Sequence, residues 1–193
     1  MKKYEFTGET KQVGFLGNIT LKRIRATMEF GIVKIGDLGG WIEKEENLSR
    51  EGNAWVYGNA EVWGNAKVCG DAEVCGDAKI YGNAEVWGNA KIYGNAEVWG
   101  NAKIYGNAEV WGNAKVFSIS HVLVIGPIGS RNDFTTFFRD KDSEITVKCG
   151  CFLGKIDKFL EKVCETHGDS KYAIVYRTAA EIAKQQIDLS EEN

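Results

Sequence analysis

Between Gly52 and Phe117 the chain repeats one six-residue phrase, Gly-(Asn/Asp)-Ala-x-(Val/Ile)-x, eleven times without a break. A fixed period constrains folding more than any single residue does, because each unit must make the contacts its neighbour makes. Six residues are too few for a helical repeat. They suit a short strand, with Ala60 and Val62 facing one way and Glu61 and Trp63 the other. Gly-Asn and Gly-Asp tolerate positive φ and read as the corners between strands.

The number of sides per lap follows from charge. The fourth position of the repeat runs Glu61, Lys67, Glu73, Lys79, Glu85, Lys91, Glu97, Lys103, Glu109, Lys115, a period of twelve residues. With three hexapeptides per lap, residues eighteen apart are stacked, so Glu61 meets Lys79, Lys79 meets Glu97 and Glu97 meets Lys115. Two or four per lap would pile like charges on strands only about 4.8 Å apart. Each exposed ion pair is worth about 0–1 kcal/mol, so the ladder selects register rather than supplying stability. Stability is expected from inner columns such as Val56/Val74/Ile92/Val110 and Val62/Ile80/Val98/Val116, burying apolar area at about 25 cal/mol per Å². The outer columns Tyr57/Cys75/Tyr93/Trp111 and Trp63/Tyr81/Trp99/Phe117 leave large aromatic ribs, which point to association.

Residues 52–117 resemble the hexapeptide-repeat family, whose parallel β-helix is left-handed. Handedness here is implied by that resemblance alone, since parallel strands otherwise favour right-handed crossovers. The family commonly has a small residue after the aliphatic one, where this chain has Tyr57, Trp63, Tyr81, Trp87, Tyr93, Trp99, Tyr105 and Trp111. The expected fold is mainly β: an N-terminal β cap over 1–33, a β-helix over 34–125 and a small C-terminal α/β domain over 126–193. The resemblance implies a homo-oligomer, a trimer first.

A β-helix needs covers on its terminal coils. Tyr4–Phe6 and Ile19–Met28 read as strands of one cover. Beyond Phe117 the period fails, and His121–Ile125, Phe134–Arg139 and Ile145–Phe152 are strand candidates. Two amphipathic helices follow, one carrying Ile156, Phe159, Leu160, Val163 and Cys164 on its apolar face, the other Tyr176, Ala179, Ala180 and Ala183. The entry segment "DLGGWIEKEENLSREGNAWVYGNA" and the run from "IGSRND" to "FLEKVCETHG" resemble parts of phage and prophage hexapeptide-repeat proteins of unassigned function.

The chain has 193 residues and a net charge of −3, with no basic excess for an extended nucleic acid. Lacking a signal-like start or an apolar run of membrane length, it is expected in the cytoplasm, and in the host's cytoplasm if phage-encoded. Five cysteines, an odd number, fit reduced thiols. Cys69 and Cys75, one hexapeptide apart, belong to different faces and are not expected to pair.

Three places carry possible chemistry. His121, just past the last coil, is where a hexapeptide acyltransferase would hold a general base, against the plain alternative of a structural histidine. Cys149, Cys151, Cys164 and His167 offer four soft ligands for zinc at a non-standard spacing, against simple packing. "GPIGSRND" with Thr135, Thr136 and Lys148 forms an anion-ready cluster, Ser130, Arg131, Asn132 and Asp133 included, against turns with a structural arginine. The helix starting near Lys155 offers a second set of backbone donors. No cofactor is expected.

The preferred reading is a non-catalytic binding protein whose β-helix presents or oligomerises the C-terminal module. The phage resemblance implies sequestration of a host defence protein or a small nucleotide signal. An acyltransferase using an acyl-thioester donor and a purely structural assembly protein are the alternatives.

Overall fold

The computed structural model describes residues 2–190. A long hairpin, β1 (Tyr4–Val13) and β2 (Ile19–Ala26), precedes β3 (Leu38–Ile42). Eleven two-residue strands then follow, one per hexapeptide: β4 (Trp55–Val56), β5 (Glu61–Val62), β6 (Lys67–Val68), β7 (Glu73–Val74), β8 (Lys79–Ile80), β9 (Glu85–Val86), β10 (Lys91–Ile92), β11 (Glu97–Val98), β12 (Lys103–Ile104), β13 (Glu109–Val110) and β14 (Lys115–Val116). They stack in parallel on three faces, β5-β8-β11-β14, β4-β7-β10-β13 and β6-β9-β12, making just under four coils of a hexapeptide-repeat β-helix. Glu61 pairs with Lys79 and Glu97 with both Lys79 and Lys115, so the triangle and its alternating charge columns stand as the twelve-residue period predicts.

Backbone bonds join each coil to the next, as from Glu61 N to Ala78 O at 2.9 Å and Lys79 N to Ala96 O at 2.9 Å. Inside, every repeat alanine from Ala54 to Ala114 and every following Val or Ile is buried. Corner side chains form their own ladder, with Asn65 donating to Asn83 at 3.1 Å and Asn83 to Asn101 at 3.2 Å. The corner glycine is obligatory at Gly70, where φ is +71° and a Cβ would lie 2.9 Å from the Gly88 backbone nitrogen. Among the described residues one ladder pair of Glu and Lys closes as an ion pair, Glu85–Lys103 at 3.8 Å, in keeping with a role in register. The outer rings stack face to face, Trp63 on Tyr81 at 4.6 Å and 4°, and Tyr81 on Trp99 at 5.8 Å and 6°.

At the N-terminal end β1 and β2 extend the β5 face through β3, giving a seven-stranded sheet. β1 is far longer than the three residues expected of it from sequence. Two side chains replace missing strand donors: Asn47 donates to Gly64 O and Ala66 O, and the buried Lys3 amino group donates to Ala54 O at 2.7 Å. Burial pulls the Lys3 pKa down to about 8.

The other end is closed by an antiparallel sheet, β15 (Val122–Ile128), β16 (Asp133–Arg139), β17 (Ile145–Cys149) and β18 (Phe152–Lys155), backed by α1 (Ile156–His167) and α2 (Lys171–Gln186). Strand alternation sends neighbouring residues of β16 to different cores. Phe138 joins the interior of the β-helix, while Phe137 joins Phe159, Val163 and Tyr176 under the helices. Thr136 Oγ1 accepts the Glu109 N–H at 3.0 Å and Asn113 O accepts the Lys141 N–H at 3.0 Å, satisfying backbone groups of the last coil. None of the helices among the described residues is long and apolar enough to cross a membrane.

Candidate functional site

The turn Gly150-Cys151 divides what reads in sequence as one strand, Ile145–Phe152, into the hairpin β17–β18. A second turn, Gly129 to Asn132, joins β15 to β16. The two turns lie side by side under α1 and α2 and enclose a cavity of about 250 Å³ lined by Ser130, Arg131, Cys149, Cys151, Phe152, Phe159, Lys162, Val163, Thr166, His167 and Tyr176. Two glycines at positive φ make room for its walls. A Cβ on Gly150 would collide with the Arg131 guanidinium, and one on Gly129 with the Tyr176 hydroxyl.

Arg131 lies beside Cys151, whose sulfur raises the guanidinium pKa further above its ordinary value. Burial pushes the Tyr176 hydroxyl up, helped by the neighbouring Cys149 and opposed by hydrogen bonding to Ser130. The His167 ring stacks on Tyr176 at 5.7 Å and 30°. No Asp or Glu lines the cavity, so its charged groups are cationic, Arg131 and Lys162.

The residues singled out from sequence are divided by this geometry. Ser130 and Arg131 line the cavity. Asn132 holds the turn at φ +51°. Asp133 and Lys148 line a different cleft of about 350 Å³ against the β-helix corners Asn89 and Asn107. There Lys148 is matched to Glu109 at 3.0 Å and lies over the Trp111 ring. Thr135 and Thr136 are buried: Thr135 donates to Cys149 Sγ at 3.2 Å, and Thr136 Oγ1 accepts the Glu109 N–H of the last coil. Both threonines sit between flanking strands, where their hydroxyls complete the chain's own bonding.

At the helix start, the Lys155 side chain turns to carboxylates of the sheet, and among the described residues no side chain caps the first N–H groups of α1. Lys155 lies 2.6 Å from Asp140 and 2.5 Å from Glu144. Burial alone would lower the Lys155 pKa, but these carboxylates raise it. Asp140 is held below the usual carboxylate range despite burial, by Lys155, Thr146 and the backbone N–H groups of Asp142 and Glu144.

The zinc reading also changes. Cys149, Cys151 and His167 line one cavity, yet among the described residues no three His, Cys, Asp or Glu side chains gather as metal ligands. Cys164 is exposed rather than on the apolar face of α1, because the buried stripe is Ile156, Phe159 and Val163. His121 lies in a 3-10 turn, Ile119–His121, not in a strand. It is 1% exposed, accepts the Phe117 N–H through Nδ1 at 3.3 Å and meets the Phe117 ring edge-on at 4.2 Å. Phe152, Phe159, Lys162, Val163, Thr166 and Tyr176 escaped the sequence reading as cavity residues. Phe159, Val163 and Tyr176 carry a helical apolar signal that marks a core, and that core has an open side.

No family model matches the chain. A protein of Escherichia coli (strain K12), described as the uncharacterized acetyltransferase YdcK, is similar to it at 37% identity over 62 residues, 30% of this chain and 19% of the relative. The similarity therefore spans about a fifth of the relative's length. Its extent is close to that of the 66-residue repeat tract.

Proposed function

We propose that the C-terminal cavity binds a small anionic ligand of nucleotide type, and that the β-helix is the rigid body that carries it. The observation behind this is the cavity lining: Arg131, Lys162 and His167 beside the rings of Phe152 and Tyr176, without a carboxylate. Cations suit a phosphate, and the rings suit a flat heterocycle. The phage-like end segments extend the proposal to capture of a host nucleotide signal or defence protein, with the resemblance as its support. Self-association, a trimer first, belongs to the same reading and is supported by the half-exposed rings of Trp87 and Tyr105.

A second reading, acyl transfer from an acyl-thioester, is supported by the hexapeptide β-helix and by the description of the similar E. coli protein. Its base would be His167, which lines the cavity, rather than the buried His121. One panel separates the two. Thermal shift with cyclic and linear nucleotides and with acyl-coenzyme A should show a stabilising ligand whose effect is lost in Arg131→Ala, with no turnover. Acyl transfer that disappears in His167→Ala establishes the second reading, and a flat response to every nucleotide and acyl-thioester removes the first.

A further inference from the structure

Cys149 and Cys151 are separated only by Gly150, in the turn that forms one wall of the cavity. Two Cα–Cα steps of about 3.8 Å, bent at a turn, bring the outer residues about 5–6 Å apart, inside the range that a disulfide spans. Gly150, at φ +56°, gives that turn its bend. The two sulfurs differ in setting. Cys151 is exposed and lies beside the Arg131 guanidinium, which crosses Gly150. Cys149 is half-buried and receives the Thr135 hydroxyl at 3.2 Å. Metal chemistry does not account for the pair, since no third ligand joins it among the described residues.

We propose that Cys149 and Cys151 form a dithiol site that is oxidised by a low-molecular-weight disulfide entering the cavity. Cys151 is the attacking thiol. Its sulfur bonds to one sulfur of the reagent, the reagent's S–S bond breaks, and the departing thiolate takes up the proton that Cys151 releases. Cys149 then attacks the Cys151 sulfur, the mixed disulfide breaks, and the second reagent thiol leaves with the proton from Cys149. Two protein thiols become one disulfide and one reagent disulfide becomes two thiols. Arg131 and Lys162 at the cavity wall attract an anionic reagent, so glutathione disulfide is favoured over a neutral one. The dithiol step does not rest on the nucleotide-type ligand; the preference for an anionic reagent rests on the same cationic lining.

The test is thiol mapping by mass spectrometry of the full chain after exposure to glutathione disulfide or to neutral hydroxyethyl disulfide. Expected is loss of two of the five thiols, mapped to one Cys149–Cys151 peptide, with both reagents. Cys149→Ala should stop at a mixed disulfide on Cys151, and Cys151→Ala should leave Cys149 unreacted. Arg131→Ala should slow the glutathione reaction about tenfold more than it slows the neutral one. Wild-type protein that retains all five thiols, or that reacts at Cys69, Cys75 or Cys164 while the pair stays reduced, overturns the inference and needs no variant to fold. Oxidation by both reagents at equal rates keeps the dithiol site and counts against the anion-binding reading of the cavity.

Discussion

The β-helix and the C-terminal module share the strand β16, yet they are stabilised in opposite ways. In the β-helix the same few contacts recur every eighteen residues, so no position is special and each coil templates the next. In the module each contact is made once: Asp140 collects two side-chain donors and two backbone N–H groups, Tyr176 fits over one glycine, and Arg131 crosses another. Repetition sets the same groups along the whole body. Singular contacts create a concave place with distinct groups, and there the cavity lies.

Adjacent residues offer the sharpest way to separate the two regions. Phe138→Ala should cost about 3–5 kcal/mol in the β-helix, and Phe137→Ala a similar amount in the helical module. All six tryptophans lie between Trp41 and Trp111, and both helices lie beyond Lys155. Tryptophan fluorescence and helical circular dichroism therefore report the regions independently. Each substitution should move chiefly its own signal, and identical shifts of both probes in both variants would show one cooperative unit.

A smaller effect is expected at Asp140→Asn, about 2–3 kcal/mol of module stability at neutral pH, from the loss of charge-assisted bonds. The folded-state pKa of Asp140 lies below its ordinary 3.8, so its stabilisation is present above that value and is lost as pH falls through the folded pKa. Denaturant midpoints of wild type and variant should converge on acidification, and a difference that persists in strong acid would assign the effect to packing instead.

The smallest effect belongs to the charge ladder. Glu97→Lys places like charges on both Lys79 and Lys115 and should cost about 1 kcal/mol, shrinking with added salt. A salt-independent cost would mean that the ladder acts through side-chain packing.

The same contrast explains what was legible in the sequence. The coil, its three sides, its buried columns and its charge order all follow from a period, and a period survives the loss of any single clue. The module offers no period. The strand limits of β15 and β16 were nearly readable, but Gly150 as a turn was hidden because the residues around it, Lys148 to Phe152, carry no Asn, Asp or Pro. Cys164 was assigned to the apolar face because it follows Val163 in an amphipathic run, and its exposure depends on how α1 is rotated on the sheet. Thr135 and Thr136 read as ligand donors because their partners, the Cys149 sulfur that accepts from Thr135 and the Glu109 N–H that donates to Thr136, are distant in sequence.

Three strands per coil and a two-beat charge alternation together quantise the length of this molecule. One added coil would set Lys upon Lys at the junction, whereas thirty-six residues is the shortest insertion that keeps both rhythms in phase. A longer variant of the chain should therefore grow in increments of about 10 Å, with its two covers returning to the same mutual orientation each time.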